Sequence, residues 1–173
     1  DVPGQITTLV DWVQKQSWFD GEPPCLMGFS FGTQFIPAIY HLAEKQKISL
    51  GPGVLAFGGA GLFRLFYSVP GNIFIKILRG CVGEILFLPL EPEKHLPYVH
   101  GEFLVMNGDY DELIPFSAAL KLQRLVPEPK TVINLEVPHL QPKNDPLLQE
   151  LIAIARKWLS EKRKERGGLS KAS

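Results

Sequence analysis

Cysteine is scarce in this chain: two among 173 residues, Cys25 and Cys81. That excludes a disulfide framework, and no spacing of Cys, His, Asp or Glu fits a metal-ligand set, so neither a metal ion nor another cofactor is expected. The usage fits a reducing compartment, and a cytoplasmic location is the expectation. Cys25 itself reads as a small buried apolar residue. An excess of either charge is also lacking. The 18 basic side chains equal the 18 acidic ones, which argues against nucleic acid, and against an anionic membrane surface, as the main partner. Long apolar runs are missing too. The uncharged stretch 48–63 is interrupted by Gly51, Pro52, Gly53, Gly58, Gly59 and Gly61, so no integral membrane segment is expected. Gly58-Gly59-Ala60-Gly61 lacks the lysine of a phosphate loop and the dinucleotide fingerprint. No internal repeat is present.

What remains is 45% hydrophobic, enough for the core of one globular domain. Apolar residues at helical spacing predict helices over 3–16, 31–45, 115–125 and 145–163. Shorter helical pieces fall at 62–67 and 73–78. Compact apolar runs at 25–29, 54–57, 103–106 and 131–137 predict strands. The prolines between 89 and 97 predict a loop over 90–99. Strands alternating with helices imply an α/β fold, a parallel sheet with helices on both faces. In such sheets ligands bind beyond the carboxyl ends of the strands.

Three chemically capable side chains fall at those ends. Ser30 lies in Gly28-Phe29-Ser30-Phe31-Gly32, a G-x-S-x-G between a strand and a helix. Glycines two residues either side meet the need for small neighbours where backbones crowd. Asp109 and Asp111 follow the third strand, and His139 follows the fourth. A serine hydroxyl needs a base to take its proton as it attacks, and imidazole suits the task. The imidazole needs a carboxylate to hold its tautomer and steady its positive charge. Each residue also has a plainer role available: a turn serine, an acid forming an Asx turn before the helix at Pro115, a loop histidine.

With the motifs GFSFG at 28–32, NGDYDELIP at 107–115 and VPH at 137–139, the sequence resembles the α/β-hydrolase family. The resemblance implies a Ser30, Asp111, His139 triad, with Asp111 rather than Asp109 as the acid. It implies that the Phe31 amide supplies one oxyanion donor. It implies a serine esterase or lipase acting on a small-molecule carboxylic ester, with a thioesterase, a peptidase or a non-catalytic binding protein as alternatives. Family members carry strands ahead of the elbow, including the loop with the second oxyanion donor. The chain, which opens on Asp1, is therefore expected to correspond to the C-terminal half of the fold. Val137-Pro138 departs from the glycine many members have near the histidine.

Residues 1–163 are expected to form one domain, with 62–98 as a lid-like insert and 164–173 as a flexible tail. The phenylalanine-rich middle admits two readings, a lid whose Phe63, Phe66, Tyr67 and Phe74 line an apolar substrate pocket, or ordinary core packing. As a lid it would suit an apolar acyl group.

Overall fold

The computed structural model describes residues 1–141, 143 and 145–169. The last four residues of the expected tail, 170–173, lie outside them. The chain divides into two compact units, Asp1–His139 and Leu140–Ser173.

The first unit is built on four parallel strands, β1 (Leu26–Phe29), β2 (Gly53–Ala56), β3 (Phe103–Gly108) and β4 (Lys130–Leu135), side by side in chain order. Its helices are α1 (Val2–Gln14), α2 (Phe35–Gln46), α3 (Leu62–Ser68), α4 (Ile73–Phe87) and α5 (Phe116–Leu125). The central strands β2 and β3 are buried along their whole length, while the edge strand β4 alternates between partly buried and exposed positions. That is the pattern of a parallel sheet, whose inner strands meet cover on both sides. On one face Leu55, Phe103 and Val105 pack with Ile36, Ile39 and Tyr40 of α2 and with Leu122 and Val126 at α5. Each such side chain contributes about 1.5–3 kcal/mol when fully buried. Tyr40 also donates its hydroxyl to Gly51 O at 2.8 Å, so the core position carries a satisfied polar tip.

Local chemistry sets the element ends. The Asp1 side chain accepts from Gly4 N at 2.6 Å and starts α1 with Pro3 in the first turn. Asn72 does the same for α4 through Ile75 N. The helix after β1 begins as a 3₁₀ turn, Ser30–Gln34, before α2 proper, so Pro37 falls in the first α-helical turn, where its missing N–H costs nothing. The proline-rich 90–99 stretch is not a plain loop. It is a chain of short 3₁₀ turns, Leu88–Leu90, Pro92–Lys94 and Leu96–Tyr98, each with proline at its start. Cys25 is exposed rather than buried, because it precedes β1 at the sheet edge.

The second unit holds one long helix, α6 (Asp145–Leu169). Leu147, Leu151, Ala155 and Trp158 are buried. They recur at the spacing expected of one helix face.

Candidate active site

Register places the site. Phe29, Ala56, Met106 and Ile133 stand in one row across the sheet. β1 and β2 end at that row, and β3 and β4 pair for two residues more before the chain emerges on the rim at the carboxyl ends of the strands. Ser30 is the first residue past the row on β1, with φ +48°. A non-glycine residue there is strained by about 1–3 kcal/mol. Interactions beneath hold the strain: Thr33 Oγ1 shares its one hydrogen between Gly28 O at 3.0 Å and Ala56 O at 2.8 Å, and Gln34 Nε2 donates to Gly59 O at 3.0 Å.

The two glycines of the motif are not equivalent. A Cβ on Gly28 would lie 2.8 Å from Gly32 O and 2.8 Å from Thr33 Cα, both backbone atoms. A Cβ on Gly32 would meet nothing within 4 Å. Crowding therefore explains the first glycine and leaves the second open.

The three sequence-predicted residues come together. Ser30 Oγ lies 2.7 Å from His139 Nε2, although 109 positions separate them. His139 Nδ1 lies 2.7 Å from Asp111 Oδ2, and both side chains are almost wholly buried. The other oxygen, Asp111 Oδ1, accepts the Leu113 and Ile114 amides at 2.9 and 2.7 Å. Asp109 is exposed, and its amide donates to Leu135 O at 2.8 Å. Phe31 N–H is in the first turn of the 3₁₀ segment, where helical geometry provides no acceptor within the helix. A hydroxyl bonded to an imidazole can pass its proton to the ring, while a carboxylate on the ring's other nitrogen holds the tautomer and steadies the positive charge.

Phe57 and Glu112, which the motifs did not single out, help to hold His139, as does Gly108 of the acid motif. Phe57 is fully buried, has φ +55°, and sets its ring edge against the imidazole, with centroids 5.7 Å apart and an interplanar angle of 88°. Glu112 Oε2 accepts the His139 amide at 3.1 Å. Gly108 leaves room for the histidine loop, since a Cβ there would come within 2.5 Å of Val137 O. A bulky residue at positive φ directly after a strand leaves no mark in an apolar run, which is why Phe57 is silent in the sequence.

The expected pocket residues divide. Phe66 stacks on Phe87 at 5.4 Å, and Phe87 meets the Phe31 ring edge at 5.3 Å. That contact joins the α3–α4 hairpin to the elbow. Phe35 joins the same group, 5.5 Å from Phe31. Phe63 and Tyr67 stack on each other. Phe74 is 81% exposed. A cleft of about 690 Å³ is lined by Gly61, Phe63, Arg64, Glu84, Glu91 and Lys121 among others. None of Ser30, Asp111 and His139 lines it. Among the described residues no cluster of His, Cys, Asp and Glu has the makings of a metal site.

No family model matches the sequence, and no curated protein matches it. Solved structures do. The chain is similar to an acetyl xylan esterase from Paenibacillus sp. R4, with TM-score 0.68 and 14% identity over 92% of this chain and 52% of that one. It is similar to acetyl xylan esterase 1 from a Thermoanaerobacterium species, with TM-score 0.66 and 15% identity over the same shares, 92% and 52%. Dipeptidyl peptidase 4 from Porphyromonas gingivalis gives TM-score 0.66 and 11% identity over 92% of this chain and 22% of that one. The chain thus spans about half the length of the esterases it matches, and less of the peptidase. With the parallel sheet and its helices, these likenesses show that the chain has the α/β-hydrolase fold.

Proposed function

We propose that this chain carries the reacting triad of a serine hydrolase that cleaves carboxylic esters through an acyl-enzyme. Ser30 Oγ attacks the ester carbonyl carbon, and its proton passes to His139 Nε2. The imidazolium that forms is steadied by Asp111 Oδ2 at Nδ1. The Phe31 N–H donates to the oxyanion, a contact of a kind whose loss typically costs about a hundredfold to a thousandfold in turnover. The C–O bond then breaks, the leaving alkoxide takes the proton from His139, and the acyl group stays on Ser30. Water, deprotonated by His139, attacks the acyl carbon; the bond from that carbon to Ser30 Oγ then breaks, Oγ takes the proton back from His139, and the carboxylic acid leaves. Thioesters and small amides run on the same machinery, so esters are the first of several bond types.

The observation that carries the reading is the unbroken pair of 2.7 Å contacts from Ser30 through His139 to Asp111. The acyl group is proposed to be apolar and to lie against Phe31, Phe35, Phe66 and Phe87, the rings beside the serine. Hydrolysis of p-nitrophenyl esters of increasing acyl length tests both parts. Ser30→Ala is expected to lower kcat by about 10⁴-fold or more. Phe87→Ala is expected to lower kcat/KM for hexanoate more than for acetate. Unchanged turnover in Ser30→Ala contradicts the mechanism, and equal losses on both esters contradict the acyl site.

A further inference from the structure

Helix α4 is built inside out. Phe74, Leu78, Cys81 and Ile85 recur at steps of four, three and four residues, so they form one stripe along the helix. That stripe faces solvent: Phe74 is 81%, Leu78 65% and Ile85 72% exposed. The inner side carries Gly80 and Gly83, against which the Phe63 and Phe66 rings lie. It also carries the helix's two cations. Lys76 Nζ stands 5.6 Å from the Tyr67 ring centroid, and Arg79 donates to Val69 O and Pro70 O. A continuous outward apolar stripe is not the surface of a helix that meets only water.

Charge selects what covers it. The neutral sum over the chain hides a local excess: residues 62–90 hold Arg64, Lys76 and Arg79 against one acid, Glu84. Two such hairpins face to face gain no charge complementarity, whereas an anionic surface would attract one. The length fits a surface and not a span. Fifteen residues make about 22 Å of helix, short of the roughly 30 Å hydrocarbon core. Among the described residues no helix is long and apolar enough to cross a membrane. An apolar face with cations on the opposite side is the arrangement of helices that lie in the plane of a bilayer interface.

We infer that α4 docks this protein flat onto an anionic lipid surface, with Phe74, Leu78 and Ile85 entering the acyl boundary. The docking does not depend on the ester chemistry. Because Phe87 of the same helix touches Phe31, docking would also hold the elbow next to the membrane, a consequence that does rest on the hydrolase reading.

Flotation of the purified chain with lipid vesicles tests it. The protein is expected to rise with vesicles of phosphatidylcholine and phosphatidylglycerol in equal parts, to stay behind with phosphatidylcholine alone, and to be released by salt. Leu78→Ser with Ile85→Ser, both at exposed positions, is expected to weaken partitioning by at least about tenfold while the melting temperature holds. In a Cys25→Ser background, a polarity-sensitive dye on Cys81 is expected to shift to the blue when anionic vesicles are added. Four results would overturn the inference: no flotation, equal flotation with neutral vesicles, flotation indifferent to the double substitution, or a concentration-dependent dimer that the double substitution abolishes. None of these reads turnover, so a chain that floats but hydrolyses nothing refutes the proposed activity alone.

Discussion

Asp111 divides its two oxygens between two tasks. Oδ1 closes an Asx-type turn onto the Leu113 and Ile114 amides, while Oδ2 faces His139 Nδ1. The structural and the chemical readings of this aspartate therefore hold together. Asp111→Asn can keep the turn through its amide oxygen but cannot support the imidazolium as a carboxylate does. It is expected to fold normally and to lower kcat by about 10⁴-fold, whereas Asp109→Asn stays within a few-fold of wild type. Steady-state kinetics on the pair decides, and equal effects would move the acid role. The elbow glycines give a second contrast. Gly28→Ala would push a methyl to 2.8 Å from backbone atoms and is expected to cost about 1–3 kcal/mol. Gly32→Ala has open space around its Cβ and is expected to leave the melting temperature near wild type or raise it slightly. Thermal unfolding reads both, and equal losses would contradict the crowding argument. The meeting of Ser30, Asp111 and His139 was legible in the sequence because motif and chain order single them out. Glu112 and Phe57 were not, since a side chain that supports another from a distant segment leaves no spacing to read.

At the scale of elements, the legible part was the strand–helix alternation, because central strands of apolar residues and amphipathic helices announce themselves by period. The middle segment was less so. Its helices, α3 and α4, meet through Gly80 and Gly83, and a contact made by the absence of side chains carries no hydrophobic pattern. The start of α3 depends on a residue far along the chain: Glu91, nearly buried, accepts Gly61 N at 3.0 Å and Leu62 N at 2.8 Å. Glu91→Ala would strand two amides and is expected to cost about 1–3 kcal/mol. Glu91→Gln keeps one acceptor and should cost less. Amide hydrogen exchange at Leu62 should quicken in the alanine variant, and unchanged protection there would show that the cap is dispensable. The histidine loop shows the same dependence between elements. Val137-Pro138 lacks the glycine expected nearby, and the room comes instead from Gly108 on β3.

At the scale of the molecule, the three histidines other than His139 tie α2 to the 89–100 segment. His41 Nδ1 bonds His95 Nδ1 at 3.1 Å, and His100 pairs with Glu44 at 2.9 Å. His95 Nε2 meets Pro89 O at 2.8 Å and must donate there, so in the neutral ring Nδ1 accepts and His41 gives the hydrogen. Burial, then the Lys45 and His95 charges, hold His41 below the ordinary imidazole value of 6.5, against the pull of Glu44. A depressed folded value favours the neutral ring, so its stabilising contribution is complete above pH 6.5 and is lost as pH falls through the folded value. Wild type is accordingly expected to lose melting temperature on acidification more steeply than His41→Phe, which keeps the ring stacked on Tyr98. Parallel curves would remove His41 from the balance. Net charge, by contrast, told little at this scale, because it averages over a cationic hairpin and an otherwise slightly acidic remainder. In the proposed mechanism His139 and Asp111 activate the Ser30 hydroxyl. Labelling with a fluorophosphonate probe, followed by mapping of the modified peptide, tests it most directly. The adduct is expected on Ser30 in wild type, with none in Ser30→Ala and only slow labelling in His139→Ala. Labelling that ignores His139, or a folded protein that takes no label at all, would contradict it.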